Sequence, residues 1–229
     1  MVMAAGHGTR MKPLTDDRSK AMVEVGGRPL IDHTLARLSE ASVTKAVVNI
    51  HAHADHLEAH LGNRKMNLEI LISDERGELL ETGGGLIKAL PLLGSDPIFI
   101  CNIDAIWQEN SAVLEAMTKF WDPEMMDDLL LLAPIEQTLG YSGNGDFTLS
   151  KDGRIARRDG ESAPYVYAGV QIARLEPARG FKIEPFSRNK MWDLSLANGR
   201  AYGFILDGFW MHVGDPKARG EAEARLNDI

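Results

Sequence analysis

Short β-rich segments alternate with helical segments in the first half of the chain. Residues 45–50, 68–72 and 98–103 are rich in apolar residues, and the last of them is apolar at nearly every position. Between the strands, residues 31–41 carry apolar side chains at helical spacing and residues 55–61 form a short helical segment. A strand that is apolar throughout is buried on both faces, as in a parallel sheet covered by helices. The alternation therefore predicts an α/β protein whose mixed, mostly parallel sheet is flanked by helices.

The second part of the chain has strands without long helices between them, and a glycine-rich loop at residues 140–145. The predicted strands are 147–149, 155–157 and 165–172, followed by late helices at 189–199 and 216–227 around a final strand pair at 201–206 and 209–213. No internal repeat or low-complexity linker divides the chain. We predict one domain over residues 1–229, with a first half at 1–135 and a more β-rich second half at 136–229.

Composition excludes several classes of function. The chain has 25 Lys and Arg against 33 Asp and Glu, a formal net charge of −8. An acidic chain repels phosphate backbones, so nucleic-acid binding is disfavoured and phosphate chemistry requires a local cationic pocket. The single cysteine, Cys101, excludes an internal disulfide framework and a multi-thiolate zinc site.

No segment predicts membrane insertion or targeting. The apolar stretch at residues 129–133 ends at Pro134 and is far shorter than the about 20 residues that a membrane span needs. No charged leader precedes an apolar segment at the N-terminus. We expect a soluble, cytoplasmic protein. Because the first strand is short for a central one, we also expect the natural start to lie a few residues upstream.

The segment Ala4-Ala5-Gly6-His7-Gly8-Thr9-Arg10 directly follows the first strand. Glycines at such a place allow backbone N–H groups to converge on phosphate oxygens, since no Cβ blocks the approach. Arg10 adds a planar donor and Lys20, shortly after, a point charge. The spacing matches neither the dinucleotide-binding nor the P-loop pattern. The segment predicts a phosphate-binding loop, with a plain strand-to-loop turn as the alternative.

Asp104 lies at the carboxyl end of the strand at 98–103. In that strand Asn102 and Asp104 point to the same side, whereas Cys101 points to the opposite face and is predicted to be a core residue. Ligands of α/β proteins bind at the carboxyl ends of the strands, and a carboxylate buried there favours a cation as its partner. A helix-capping role for Asp104 is the alternative.

Six segments of the chain form a wider pattern: residues 4–10, residues 20–31 (Lys-Ala-Met-Val-Glu-Val-Gly-Gly-Arg-Pro-Leu-Ile), Glu81-Thr82-Gly83-Gly84, Cys101-Asn102-Ile103-Asp104, Tyr167-Ala168-Gly169-Val170 and Trp210-Met211-His212-Val213-Gly214. Together they resemble the sugar-1-phosphate nucleotidylyltransferase family. The resemblance covers nearly the whole chain. It implies a Rossmann-like, GT-A-like nucleotidyltransferase fold and an enzyme that converts an NTP and a sugar 1-phosphate into an NDP-sugar and pyrophosphate.

The resemblance also implies roles for individual residues. Residues 1–135 would bind the nucleotide and residues 136–229 the sugar phosphate. Arg10, Lys20 and Asp104 would be catalytic, and Asp104 would ligate Mg²⁺. The implied nucleotide-binding residues are Ala5, Gly6, Gly8, Thr9, Arg10, Lys20, Glu81, Thr82, Gly83 and Asn102. The implied sugar-phosphate-binding residues are Asn144, Gly145, Asp146 and Gly169.

The chain departs from the family pattern at two positions. Ser19 stands where a proline usually precedes the signature lysine, and His212 stands where an aspartate usually supplies the second metal contact. Mg²⁺ prefers oxygen ligands, whereas imidazole suits softer metals. Three interpretations stay open: Asp104 holds Mg²⁺ with phosphates and waters, His212 binds a metal such as Mn²⁺ or contacts phosphate, or the protein is inactive. Asp215 is a candidate replacement for the missing carboxylate.

The substrates follow from the finer resemblance. The short chain, the Glu-Thr-Gly-Gly-Gly element and Gly145-Asp146-Phe147 are most similar to the family members that transfer uridylyl from UTP to N-acetylmuramate 1-phosphate in peptidoglycan recycling. Guanylyl transfer to mannose 1-phosphate and a non-catalytic nucleotide- or sugar-phosphate-binding module are the alternatives. We expect small-molecule partners only, an NTP and a sugar 1-phosphate. The histidines at 51–60 and the arginines at 154–158 are interpreted as solvated surface.

Overall fold

The computed structural model describes residues 1–64, 67–94 and 97–227 of the chain. From β3 to β6 a helix separates each strand from the next, and strands predominate after α4. In chain order they are β1 (Val2–Met3), β2 (Glu24–Val25), β3 (Arg28–Pro29), α1 (Leu30–Glu40), β4 (Lys45–Ile50), α2 (Ala54–Gly62), β5 (Glu69–Asp74), α3 (Glu81–Leu93), β6 (Ile98–Asn102), β7 (Ala105–Glu109), α4 (Val113–Phe120), β8 (Asp128–Pro134), β9 (Thr138–Leu139), β10 (Phe147–Leu149), β11 (Ile155–Arg157), β12 (Tyr165–Ala173), α5 (Asn189–Ala197), β13 (Ala201–Ile205), β14 (Gly208–His212) and α6 (Pro216–Asn227).

A nine-stranded mixed sheet forms the centre of the molecule. Its main path runs β11-β10-β12-β6-β1-β4-β5, and β8 joins β12 to β13 off this path. The strands β5, β4, β1 and β6 are parallel, and Val2 of β1 lies opposite Val48 on one side and Cys101 on the other. Antiparallel β12 joins this parallel unit to the rest of the sheet. The predicted fold class, a mixed α/β sheet flanked by helices, is confirmed.

Apolar faces of the helices cover the sheet. Ile31, Leu35 and Leu38 of α1 are buried in the main core beside Cys101, as their helical spacing predicts. The apolar stretch 129–133 is fully buried within β8, in the middle of the sheet. No helix among residues 1–64, 67–94 and 97–227 is long and apolar enough to cross a bilayer.

The final two strands do not pair with each other, and the predicted strand pair is wrong in this respect. β13 lies parallel to β8 in the large sheet, whereas β14 pairs with β7 and β9 in a separate three-stranded sheet. The chain leaves β6 through a turn at Ile103 and Asp104, and β7 after this turn pairs with β14 rather than with a strand of the large sheet. In that pairing His212 lies opposite Ala105, next to Asp104.

Helix α3 begins earlier than predicted, at Glu81, so that three successive glycines lie in its first turns. The segment at residues 184–186 crosses these turns closely. The Gly83 N–H donates to the Phe186 carbonyl oxygen at 2.8 Å, and a Cβ on Gly84 would overlap the Glu184 carbonyl oxygen. Glycine is required here by the close approach of another backbone segment.

Candidate active site

Two cavities open at the carboxyl ends of β1 and β6 and share one wall. The loop cavity, of about 510 Å³, is bounded by residues 5–10, the start of α3 and Ser187. The aromatic cavity, of about 470 Å³, is bounded by the loop at Gly145 and by aromatic rings on several strands. Asn102 and Asp104 line both cavities. A ligand in one cavity therefore meets a ligand in the other beside the Asp104 carboxylate.

The glycine-rich loop is fixed by backbone geometry at Gly8. Gly8 has φ +63°, in the left-handed region, and a Cβ there would lie 3.0 Å from both the Lys20 Cβ and the Thr15 Cγ2. The Thr15 hydroxyl donates to the Gly8 carbonyl oxygen at 2.9 Å. These contacts close the loop over Lys20 and leave Arg10 exposed at the cavity.

Asn49 and Glu75 support the loop cavity from below, and the sequence analysis missed both. The Ala4 N–H donates to Asn49 Oδ1 at 2.7 Å, and the Asn49 amide donates to Glu75 Oε1 at 2.7 Å. The fully buried Glu75 also accepts from the Leu80 N–H, just before α3. One buried network thus ties the start of the glycine loop to the start of α3. A polar residue near the end of an apolar strand, as Asn49 is in β4, was the available signal.

Lys20 and His212 both contact the Asp104 carboxylate where the cavities meet. Lys20 Nζ lies 2.7 Å and His212 Nε2 lies 3.4 Å from Asp104 Oδ2. Burial alone would raise the pKa of Asp104, but the Lys20 ammonium and the His212 imidazole outweigh it and hold the pKa well below its usual range. Asp104 is therefore ionised at neutral pH, and it caps no helix.

The His212 ring is held on both sides. Its Nδ1 lies 3.3 Å from the Gly140 carbonyl oxygen, and the ring stacks on Trp210 with centroids 5.7 Å apart. Asp215, the candidate replacement for the missing carboxylate, lines neither cavity, and its Oδ1 accepts the Ala218 N–H at 2.9 Å as the cap of α6.

The structure gathers nearly all of the predicted nucleotide-binding residues around the loop cavity. Those that line it are Ala5, Gly6, Gly8, Thr9, Arg10, Lys20, Glu81, Thr82 and Asn102. Gly83 does not line the cavity, because it is buried behind the wall with its N–H bonded to Phe186. A Cβ on Gly83 would overlap the Phe186 ring, so glycine is required at this position by the packing of α3.

Ser19, which stands where a proline is usual in the family, accepts the Ala21 N–H and caps the turn that presents Lys20.

The aromatic cavity contains most of the predicted sugar-phosphate residues. Gly145, Asp146 and Gly169 line it together with Asp104 and His212. Asn144 is exposed outside it, and its carbonyl oxygen accepts the Ala163 N–H.

Two donors fix the Asp146 carboxylate at the wall of the aromatic cavity. The Tyr167 N–H donates to Asp146 Oδ2 at 2.9 Å, and the Tyr141 hydroxyl donates to Oδ1 at 3.3 Å. Burial and the neighbouring Asp146 carboxylate raise the pKa of Tyr141, so its hydroxyl stays a donor. The carboxylate keeps acceptor capacity for a sugar hydroxyl.

Several side chains of the aromatic cavity were not predicted from the sequence. Tyr141, Trp192 and Trp210 contribute rings, and Arg157 and Arg158, interpreted as solvated surface, line the same wall. Tyr141 lies in a loop, Trp192 in α5, Trp210 in β14 and the two arginines at the end of β11, and only the tertiary fold brings these elements together.

The histidines at 51–60 do not assemble into a metal site. His60 Nε2 pairs with Asp32 at 2.9 Å, and His51 Nδ1 lies 2.7 Å from the Glu75 carbonyl oxygen. Within the described part of the chain, no group of three or more His, Cys, Asp or Glu side chains is arranged to hold a metal ion by itself.

Comparison with known proteins assigns the family. The model of the family described as nucleotidyl transferase matches residues 1–144, which carry the glycine loop, Lys20 and Asp104. The chain belongs to the nucleotidyl transferase family. The prediction of a nucleotidyltransferase enzyme is confirmed.

Two full-length relatives carry the same name. An N-acetylmuramate α-1-phosphate uridylyltransferase of Caulobacter vibrioides is 52% identical over 99% of this chain and 96% of its own length. A protein of that name from Neisseria meningitidis is 32% identical over 98% of this chain and 96% of its own.

Solved structures support the fold. A putative glucose-1-phosphate thymidylyltransferase from Bacillus anthracis matches with a TM-score of 0.81 over 100% of this chain and 94% of its own, at 15% identity. A UDP-glucose pyrophosphorylase solved with UDP-glucose matches with a TM-score of 0.79 over 99% and 97% of the two chains, also at 15% identity.

Proposed function

We propose that the protein transfers the uridylyl group of UTP to N-acetylmuramate 1-phosphate, giving UDP-N-acetylmuramate and pyrophosphate. The observation that carries this proposal is the meeting of two cavities at Asp104, with a glycine loop in one and aromatic rings in the other. The 52% identity to the Caulobacter uridylyltransferase supports the choice of base and sugar.

The attacking group needs no activated side chain. A sugar phosphate is an anion at neutral pH, and its phosphate oxygen attacks the α-phosphorus of UTP while pyrophosphate leaves. The obstacle is repulsion between anions together with the charge that grows on the leaving group. Positioned cations and N–H donors lower this barrier. In the proposed arrangement the loop N–H groups and Arg10 bind the triphosphate, and Lys20 contacts the reacting phosphates.

The donor set at Asp104 fits Mg²⁺. Mg²⁺ in nucleotide sites is commonly held by one or two carboxylates, substrate phosphates and waters, so one ionised carboxylate at the meeting point of the cavities suffices. Both hydrogen-bond or ion-pair contacts that the Asp104 carboxylate makes with the described residues fall on Oδ2. Asp104 would hold the ion, with His212 as the neighbouring nitrogen donor. When bound, the ion would neutralise phosphate charge and orient the phosphates.

The test is pyrophosphate release from a matrix of substrates and metals. Each of UTP, GTP, CTP, ATP and dTTP is combined with N-acetylmuramate 1-phosphate, mannose 1-phosphate or glucose 1-phosphate, in Mg²⁺ and separately in Mn²⁺. We expect the highest kcat/KM for UTP with the muramate sugar. Dominant turnover of GTP with mannose 1-phosphate, or nucleotide binding without release from any pair, would contradict the proposal.

The role of His212 is tested by replacing it with aspartate, the residue that usually stands at this position in the family. If the imidazole donates to the metal, His212→Asp shifts the ratio of Mn²⁺- to Mg²⁺-supported kcat toward Mg²⁺. Direct Mn²⁺ binding, measured by electron paramagnetic resonance with UTP present, should weaken in His212→Ala, which removes the nitrogen donor without supplying an oxygen ligand. Unchanged Mn²⁺ affinity would leave Asp104 and the phosphates as the complete ligand set.

A further inference from the structure

Three arginines near β11 differ in their partners. Arg154 forms an ion pair with Asp152, and Arg157 Nη2 lies 2.8 Å from Asp193 Oδ1. The charges of both are therefore compensated by carboxylates. No carboxylate among the described residues lies within ion-pair distance of the Arg158 guanidinium.

Arg158 is nevertheless held in place by backbone carbonyl oxygens. Its Nε donates to Gly145 at 3.0 Å, and its Nη1 donates to Glu161 at 3.2 Å and to Gly160 at 3.4 Å. Within the described chain Nη2 has no acceptor. Three carbonyl contacts orient the guanidinium without neutralising it, so Arg158 is a preorganised cation that lacks an anion.

The position of Arg158 defines which part of a ligand it meets. It lines the aromatic cavity, beside Gly145 and Asp146, and it does not line the loop cavity. The reacting end, with Lys20 and Asp104, is where the two cavities meet. The ligand of Arg158 is therefore a group on the sugar rather than on the nucleotide.

We propose that Arg158 binds the carboxylate of the lactyl ether on N-acetylmuramate 1-phosphate, and that this ion pair selects for this sugar. The inference rests on the proposed function. A guanidinium suits a carboxylate because its planar donors match the two oxygens. Glucose, mannose and N-acetylglucosamine 1-phosphates carry no anion besides the phosphate and leave Arg158 unpaired.

The experiment distinguishes binding of the lactyl carboxylate by Arg158 from binding of the phosphate. Arg158→Gln and Arg158→Lys are compared with the wild type, using N-acetylmuramate 1-phosphate and N-acetylglucosamine 1-phosphate, which differ only by the lactyl group. The kcat and KM are measured for the first sugar. The inhibition constant of the second sugar against the first gives its affinity whether or not it reacts. Arg154→Gln is the matched control, because Arg154 lies on the same hairpin outside both cavities.

For Arg158→Gln we expect kcat/KM for N-acetylmuramate 1-phosphate to fall about 10- to 100-fold, the usual scale of a charged hydrogen bond. The loss should fall mainly on KM, and Arg158→Lys should recover part of it. The inhibition constant of N-acetylglucosamine 1-phosphate should stay within about twofold, because its binding makes no use of a carboxylate contact. Arg154→Gln should match the wild type.

Two results would overturn the proposal. Equal weakening of both sugars would assign Arg158 to the phosphate, and no change with either would remove it from the binding site. If wild-type protein does not turn over UTP with N-acetylmuramate 1-phosphate, the proposed function itself fails. Circular dichroism melting of each variant separates loss of binding from loss of folding.

Discussion

Lys20 is a nearly buried cation whose partner is Asp104. Replacing Lys20 or Arg10 removes a positioned donor from the growing charge on the phosphates. We expect Lys20→Met and Arg10→Ala each to lower kcat by about 10²–10³. Steady-state pyrophosphate release measures the effect, and Lys12→Ala is the control, because Lys12 pairs with Asp16 at the exposed surface of the same loop. An unchanged kcat in Arg10→Ala would remove Arg10 from the proposed role.

Cys101 provides a second test at the residue scale. Its side chain is buried in the main core, and burial raises the pKa of its thiol to about 11. Since only the thiolate reacts with disulfide reagents, we expect folded protein at pH 8 to react with Ellman's reagent roughly 10²-fold or more slowly than unfolded protein. The chain has one cysteine, so the time course is a single phase. Fast reaction of the folded protein would show that the β6 core opens readily.

Single residues differed in how far the sequence could predict them. The position of Asp104 at the carboxyl end of a strand could be predicted from the sequence. The alternation of side chains along a strand and the end of an apolar run are both visible in residues that are adjacent in the chain. Asn49 and Glu75 were not predicted, because their hydrogen bond joins the end of β4 to the residue after β5 through tertiary contact. The polar residue near the end of an apolar strand signals Asn49 alone and does not indicate its partner. Gly83 was expected to bind the nucleotide, whereas in the structure it packs against Phe186.

At the scale of elements, the first turns of α3 depend on the absence of side chains. A Cβ on Gly84 would overlap a backbone oxygen of residue 184, and no rotamer relieves such a contact. We expect Gly84→Ala to lower the free energy of unfolding by about 1–3 kcal/mol. Gly62→Ala is the control, since a Cβ at the end of α2 meets nothing within 4 Å and alanine favours helix. Urea denaturation followed by circular dichroism measures both, and equal stabilities would contradict the packing described here.

The positions of helices and strands along the chain could be predicted where the spacing of apolar residues within one segment determines them. α1, β4 and β12 lie close to the predicted segments because amphipathic spacing or continuous apolar character sets them. The pairing of β14 with β7 was not predicted, because it joins two segments that are far apart in the chain and that no local pattern connects. Sequence patterns show where strands lie in the chain far better than they show which strands pair with each other.

At the scale of the whole molecule, a buried ion pair joins α5 to the centre of the sheet. Arg188 Nη2 lies 2.7 Å from Asp128 Oδ1, and both side chains are almost fully buried. The same carboxylate accepts from Gln171 and Ser195. Burial raises the pKa of Asp128 and Arg188 opposes this rise. Breaking such a pair leaves an uncompensated buried charge.

We expect Arg188→Met to lower the free energy of unfolding by about 3–5 kcal/mol at pH 8. Without the guanidinium, the pKa of Asp128 in the folded state rises further above its unfolded value. The folded state then binds a proton that the unfolded state does not, so part of the loss is recovered as the pH falls toward 5. Urea denaturation at both pH values measures this. Arg157→Met, which breaks an exposed pair with Asp193, should cost no more than about 1 kcal/mol. A larger loss at pH 5 than at pH 8 would contradict the assignment.

Residues 187–189 connect the two cavities to the large sheet. Ser187 lines the loop cavity, Asn189 lines the aromatic cavity, and the side chain of Arg188 between them is anchored in the sheet. A ligand that changes the free energy of this stretch from one side changes the affinity of the other cavity as well. Thermodynamic linkage makes the effect equal in both directions. Any coupling between the nucleotide and the sugar phosphate that runs through this segment therefore changes both affinities by the same factor, and the separate affinities and concentrations of the two ligands determine which binary complex forms first.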